Sequence, residues 1–66
     1  MYHAEWVDDN DPNHPLTGTF ATPDDVCQWA RQLDDFDPQD VLAACRHPQG
    51  EADAPNSRLY VATDRL

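Results

Sequence analysis

Aspartate supplies most of the chemistry this chain can offer. Thirteen of its 66 residues are acidic against four arginines, with no lysine, for a formal charge of −9. The adjacent pairs Asp8-Asp9, Asp24-Asp25 and Asp34-Asp35 have the spacing of acid–base couples. Such a couple works only where the surroundings drive two carboxyl pKa values apart, and no buried partner for any pair is evident. Asp9, Asp11 and Asn13 match the first three ligand positions of a calcium loop, but His14 stands where that loop needs glycine and Phe20 where it needs a bidentate glutamate. An Asx-rich turn accounts for them better. His3, His14, His47, Cys27 and Cys45 contain no CxxC or HxxxH spacing, and Cys45-Arg46-His47 at a helix end is a poor chelate for zinc. A Cys–His pair or Ser57 as nucleophile lacks any glycine-rich or oxyanion-type loop, and so short a chain leaves little room for an enclosed pocket. The expectation is a chain with no catalytic residue, cofactor or metal, acting through its surface.

Two tandem helix starts position much of the acid. TPDDVCQWAR (Thr22 to Arg31) and DPQDVLAACR (Asp37 to Arg46) share one device: an oxygen acceptor at the cap, proline next, and an aspartate three residues past the cap. Proline at the first helical position sacrifices no hydrogen bond, and the carboxylate meets free N–H groups and the positive helix end. Helices are expected over 23–34 and 38–46, the second stopped by His47-Pro48. Asp24, Asp25, Asp37 and Asp40 therefore each add a few tenths to ~1 kcal/mol to helix stability. Asp8, Asp9 and Asp11 are turn formers. Asp34 and Asp35 fall at the C-terminal end of the first helix, where the dipole opposes them, and Arg31 precedes them in the weaker order for a helical ion pair. These two are the acids the fold explains least.

The remaining pattern is extended. Tyr2 to Val7 and Leu16 to Ala21 alternate, and so does Arg58 to Thr63, with Leu59 and Val61 opposite Tyr60 and Ala62. Asp8 to Pro15 and Gln49 to Ser57, with their prolines, asparagines and Gly50, read as exposed connections. The expected fold is a single α+β domain over residues 1–66, in the order β-β-α-α-β: a three-stranded, mainly antiparallel sheet with both short helices packed on one face. Its core should join Trp6, Phe20 and Val61 or Tyr60 to Val26, Trp29, Leu33 and Leu42. Chains of this size bury only about 60% of their unfolded surface, so the margin is thin. Cys27 and Cys45 lie inside the helices and read as reduced, small core residues, with an inter-helix bridge geometrically open. No membrane-length apolar run or signal-peptide pattern is present, which points to the cytoplasm.

A field of this sign repels nucleic acid and anionic membranes and attracts basic protein surfaces. Rows of carboxylates on a compact lysine-free scaffold look like the proteins that imitate DNA, whose Asp and Glu stand in for phosphates. The segment YHAEWVDDNDPNHPLTGTFATPDDVCQWA (Tyr2 to Ala30) and the acidic middle resemble the small phage-borne anti-CRISPR proteins, of the kind acting on type I-C systems. The resemblance extends over most of the chain but contains no family-wide motif from which a residue's role could be carried over. It implies binding to a subunit of the RNA-guided surveillance complex (Cascade) and exclusion of target DNA from its basic path. The acids expected to meet that partner are Asp34, Asp35, Asp37 and Asp40, approached by Asp8, Asp9 and Asp11. Two other readings stay open. One is a small acidic interaction module such as an antitoxin or transcriptional co-factor; the other is a salt-adapted domain of unrelated role.

Overall fold

A computed structural model describes residues 1–63. The elements run β1 (Tyr2–Asp8), β2 (Asp11–Phe20), α1 (Pro23–Leu33), α2 (Pro38–Cys45), β3 (Gln49–Ala54) and β4 (Ser57–Thr63). They form an α+β fold with one antiparallel sheet in the order β2-β1-β4-β3. The helices share one face of the sheet: α1 lies over β1 and β2, and α2 over β3 and β4.

Both helices start where their caps dictate. Thr22 Oγ1 accepts from the Asp25 N–H at 3.2 Å, and Asp37 Oδ1 accepts from the Gln39 N–H at 2.9 Å, with proline in the first turn each time. One donor of each open helix end is thereby satisfied.

The sheet has four strands, not the three expected, and the chain order closes with two. The stretch read as a Gln49 to Ser57 loop forms β3 and a two-residue turn, Pro55-Asn56. Its inward residues Gly50, Ala52 and Ala54 are small because α2 lies close above them. A Cβ on Gly50 would stand 2.2 Å from the Ala44 carbonyl oxygen, so only glycine lets strand and helix approach this far. β2 also begins five residues before the expected Leu16. Pro12 and Pro15 fit because β2 is an edge strand, where a missing N–H leaves no ladder bond unmade. The first hairpin is accordingly tight, turning through Asp9-Asn10 with an irregular register between Trp6 and Asp8.

The core is smaller in side-chain size than the aromatic residues suggest. Val26, Val41, Leu59 and Val61 are at most 1% exposed, each contributing about 1.5–3 kcal/mol. Ala4, Ala30, Ala44, Ala52 and both cysteines fill between them. Trp6, Phe20, Trp29 and Leu42 are half-buried around this centre rather than in it, and Tyr60 faces outward. Phe20 and Trp29 pack at 5.2 Å between ring centroids beside Gly18. Phe36, inside the acidic knuckle between the helices, is buried at 2% exposure. No helix among the described residues is long and apolar enough to cross a membrane.

Candidate partner-binding site

Three connections meet at one end of the sheet. The first hairpin turns at Asp9-Asn10, the second at Pro55-Asn56, and the helices join through residues 34–37. The Asp9 N–H donates to the Asn56 carbonyl at 3.0 Å, which ties the two turns together. Asp34 ties the knuckle to them: Oδ2 accepts from the Ser57 hydroxyl at 2.6 Å and the Asn56 N–H at 3.1 Å, and Oδ1 accepts from the Asp35 N–H at 2.7 Å. Ser57, 1% exposed, in turn accepts from Trp6 Nε1 at 2.9 Å.

Asp34 is therefore not an acid the fold leaves unexplained, contrary to the sequence reading. It is the C-cap of α1, extended at φ −157° and ψ 176°, and its N–H closes the helix on the Ala30 carbonyl at 3.1 Å. The Ser57 hydrogen bond, helped by the Asp35 and Asn56 N–H groups, holds its carboxyl below the usual carboxylate range against the opposing effect of desolvation. The unfavourable dipole at this position is outweighed by three specific donors. Nothing local in the sequence announces this, because two of the donors lie 22 and 23 residues away.

The knuckle aims its other acids outward. Burying Phe36 turns its neighbours Asp35 and Asp37 to the exposed side. Asp37 uses one oxygen as the α2 cap, and Asp40 follows in the first turn. On the first hairpin, Asp8 Oδ1 accepts from the Asn10 N–H at 3.0 Å, and Asp11 Oδ1 meets His14 Nδ1 at 2.8 Å. Among the described residues, the side chains of Asp9, Asp35 and Asp40 take part in no hydrogen bond or ion pair. Arg31 makes no ion pair with Asp34 or Asp35. The expected residues thus divide into three groups. Asp34 is committed to the fold; Asp8, Asp11 and Asp37 have one oxygen engaged; Asp9, Asp35 and Asp40 are unspent. Asp24 and Asp25 lie at the far end of α1, about 16 Å away along the helix axis, and do not join them.

The other candidate chemistries gain no geometry. Among the described residues no group of three or more His, Cys, Asp or Glu is placed to hold a metal ion. Asp11 and Asn13 lie on an extended strand, which cannot curl around a cation as a calcium loop does. Cys27 and Cys45 are free and buried, and burial pushes both thiols up, away from the reactive thiolate. The Ser57 hydroxyl is held between Trp6 and Asp34 with no histidine on it. What remains is an end tied together by hydrogen bonds and carrying carboxylates from three separate segments. The chain matches no protein-family model, no curated protein and no solved structure.

Proposed function

We propose that the chain is an inhibitor that binds the basic DNA-recognition surface of a protein and excludes DNA from it, with carboxylates in the place of phosphates. The observation that carries this reading is the convergence at one end of acids from the first hairpin, the inter-helix knuckle and the start of α2. Hydrogen bonds between Asp34, Asn56, Ser57 and Asp9 hold that end in place before any partner arrives, so little ordering entropy opposes binding. Among the described residues, Asp9, Asp35 and Asp40 are exposed with both oxygens unengaged, and Asp8, Asp11 and Asp37 each keep a second oxygen for arginine and lysine.

The partner class that fits best is an RNA-guided surveillance complex of type I CRISPR–Cas systems. Its DNA path is lined with basic residues, and it reads the short motif beside the target through them. In this reading the chain acts in the bacterial cytoplasm as a phage-encoded anti-CRISPR protein, by binding alone and without a catalytic step. The alternative is a small acidic interaction module or a salt-adapted domain, in which the same end is a solvated surface.

Competition tests it. Inhibitor and target duplex should exclude each other on the complex, with affinity falling as salt rises. Replacing Asp9, Asp35 and Asp40 together by Asn should weaken binding tenfold or more, because charge-assisted contacts are lost while the fold's own hydrogen bonds stay. Asp24→Asn with Asp25→Asn should change binding far less. Simultaneous binding of DNA and inhibitor, or full potency of the triple variant, would sink the reading.

A further inference from the structure

The face of the sheet turned away from the helices has its own organisation. Register places Thr17, Glu5, Tyr60 and Glu51 in one row across all four strands, in the order β2, β1, β4, β3. Val7, Arg58 and Asp53 form the next row towards the turn end, and His3, Ala62 and Gln49 lie in the row on the other side. The face forms an open groove of about 800 Å³, and Glu5, Glu51 and Tyr60 sit in its lining. Glu5 and Glu51 are the only glutamates in a chain with eleven aspartates, and both flank the same tyrosine. Caps and turns account for most of the aspartates, whereas both glutamates stand on the sheet. On a sheet face the longer side chain reaches across to a neighbouring strand. Among the described residues neither glutamate takes part in a hydrogen bond or close ion pair. Tyr60 remains 39% exposed between them.

We infer that this open face is a docking surface for an arginine-bearing segment of a partner protein, whose guanidinium lies on the Tyr60 ring between Glu5 and Glu51. The chain's own Arg58 displays the chemistry the face accepts. Its Nε stands 3.3 Å from Asp53 Oδ1, and Tyr60, Asp53 and Glu51 all favour its charged form. Among the described residues, one internal guanidinium leaves three carboxylates on the face, Glu5, Glu51 and Asp53, incompletely balanced. Arginine fits better than lysine because its planar fork stacks on an aromatic ring while donating to carboxylates at both edges. A nucleic acid or anionic lipid meets repulsion here, and a second copy of this chain arrives with the same charge of −9. The surface is separate from the turn-end acids, and the inference holds whether or not the partner is a nucleic-acid-binding protein.

The test is an amide chemical-shift titration with a blocked hexapeptide of alternating Gly and Arg, against its Gly–Lys counterpart. The largest shifts are expected at Glu5, Glu51 and Tyr60, with the lysine peptide at least threefold weaker. Tyr60→Leu keeps an apolar strand residue but removes the ring, and should cost at least fivefold in affinity at these amides. Glu5→Gln with Glu51→Gln, which spares the ring, should do the same should the leucine variant fold poorly. Arg58→Gln removes the internal competitor and should tighten binding more than Arg46→Gln, which makes the same change in net charge elsewhere. Four results each overturn the inference: shifts no larger here than at Asp9 and Asp35, an outer-face affinity within twofold of the parent in both Tyr60→Leu and the double glutamine variant, no difference between Arg58→Gln and Arg46→Gln, or a protein that proves to be a dimer through this face. None of them touches the competition test of the turn-end acids, so the two readings fail separately.

Discussion

Ser57→Ala is the sharpest test of how the acidic end is held. The hydroxyl accepts from Trp6 Nε1 and donates to Asp34 Oδ2, so its loss leaves the Trp6 donor without its partner and takes from Asp34 Oδ2 one of its two donors, the Asn56 N–H remaining. Ser57 is 1% exposed, and alanine leaves no replacement for either bond. A buried polar group left without its partner costs about 1–3 kcal/mol. Trp6 is only half-buried, so water makes good part of the loss, which places the change near ~1.5 kcal/mol. In a domain of this length that is a fall in Tm of about 6–12 °C, well resolved by thermal melts followed by circular dichroism. The companion measurement is a double-mutant cycle. If Asp34 acts through Ser57, Asp34→Asn should cost clearly less in the Ser57→Ala background than in the parent. A Tm fall under about 3 °C, with strict additivity in the cycle, would refute the bridge and with it the argument that the acids are fixed in advance.

Two further outcomes follow from single contacts. Gly50→Ala puts a Cβ against the Ala44 backbone and should destabilise by about 2 kcal/mol or more, visible as a Tm loss and faster amide exchange across β3 and α2. Asp34 has a folded pKa below its unfolded value, so its stabilising contribution is complete above the ordinary carboxylate value of 3.8 and is lost as pH falls through the lower folded value. The stability gap between parent and Asp34→Asn should therefore be widest at neutral pH and close in acid below 3.8, a trend that melts from neutral pH down into strong acid would reveal or deny.

The legible parts of this fold are the local ones. Thr22-Pro23 and Asp37-Pro38 announce their helices because a cap, its proline and its carboxylate all lie within four residues. β1 and β4 announce themselves because they sit in the middle of the sheet and alternate large side chains between core and solvent. β3 is silent for the opposite reason. Its inward residues are Gly50, Ala52 and Ala54, small because α2 is near, and small residues carry no hydrophobic periodicity. The start of β2 is hidden by Pro12 and Pro15, which forbid a central strand but not an edge. The acidic end shows the same divide. Its composition is visible in the sequence, and so is the odd placement of Asp34-Asp35 after a helix. The division of labour between them is not, because two of the three Asp34 donors come from the far side of two elements. Phe36 is what separates the roles, an apolar residue that must go in and so sends Asp35 and Asp37 out.

That division also gives the proposed partner-binding end and a surface adapted to salt different expected behaviour. A salt-adapted chain uses its acids everywhere to hold water and ions, and it unfolds in dilute buffer as the charge of −9 repels itself. Here three exposed acids, Asp9, Asp35 and Asp40, give the fold nothing that any hydrogen bond records, and they lie at an end already crowded with Asp8, Asp11, Asp34 and Asp37. Two like charges about 8 Å apart in water repel by ~0.5 kcal/mol, and physiological salt screens over about that distance. The triple change Asp9→Asn, Asp35→Asn and Asp40→Asn relieves several such repulsions but gives up the few tenths to ~1 kcal/mol that Asp40 lends the α2 N-terminus. It should therefore raise Tm by about one to three degrees at about 10 mM salt and by almost nothing at about 0.5 M. The parent should melt cooperatively at about 10 mM salt and gain only modestly up to about 0.15 M, then level off. A parent that is unfolded at low salt and still gaining at about 2 M, with the triple variant no more stable than the parent, would mean that the acids serve the solvent and not a partner. A stabilised variant that has also lost its competition with DNA identifies these three carboxylates as groups held for binding at the expense of stability.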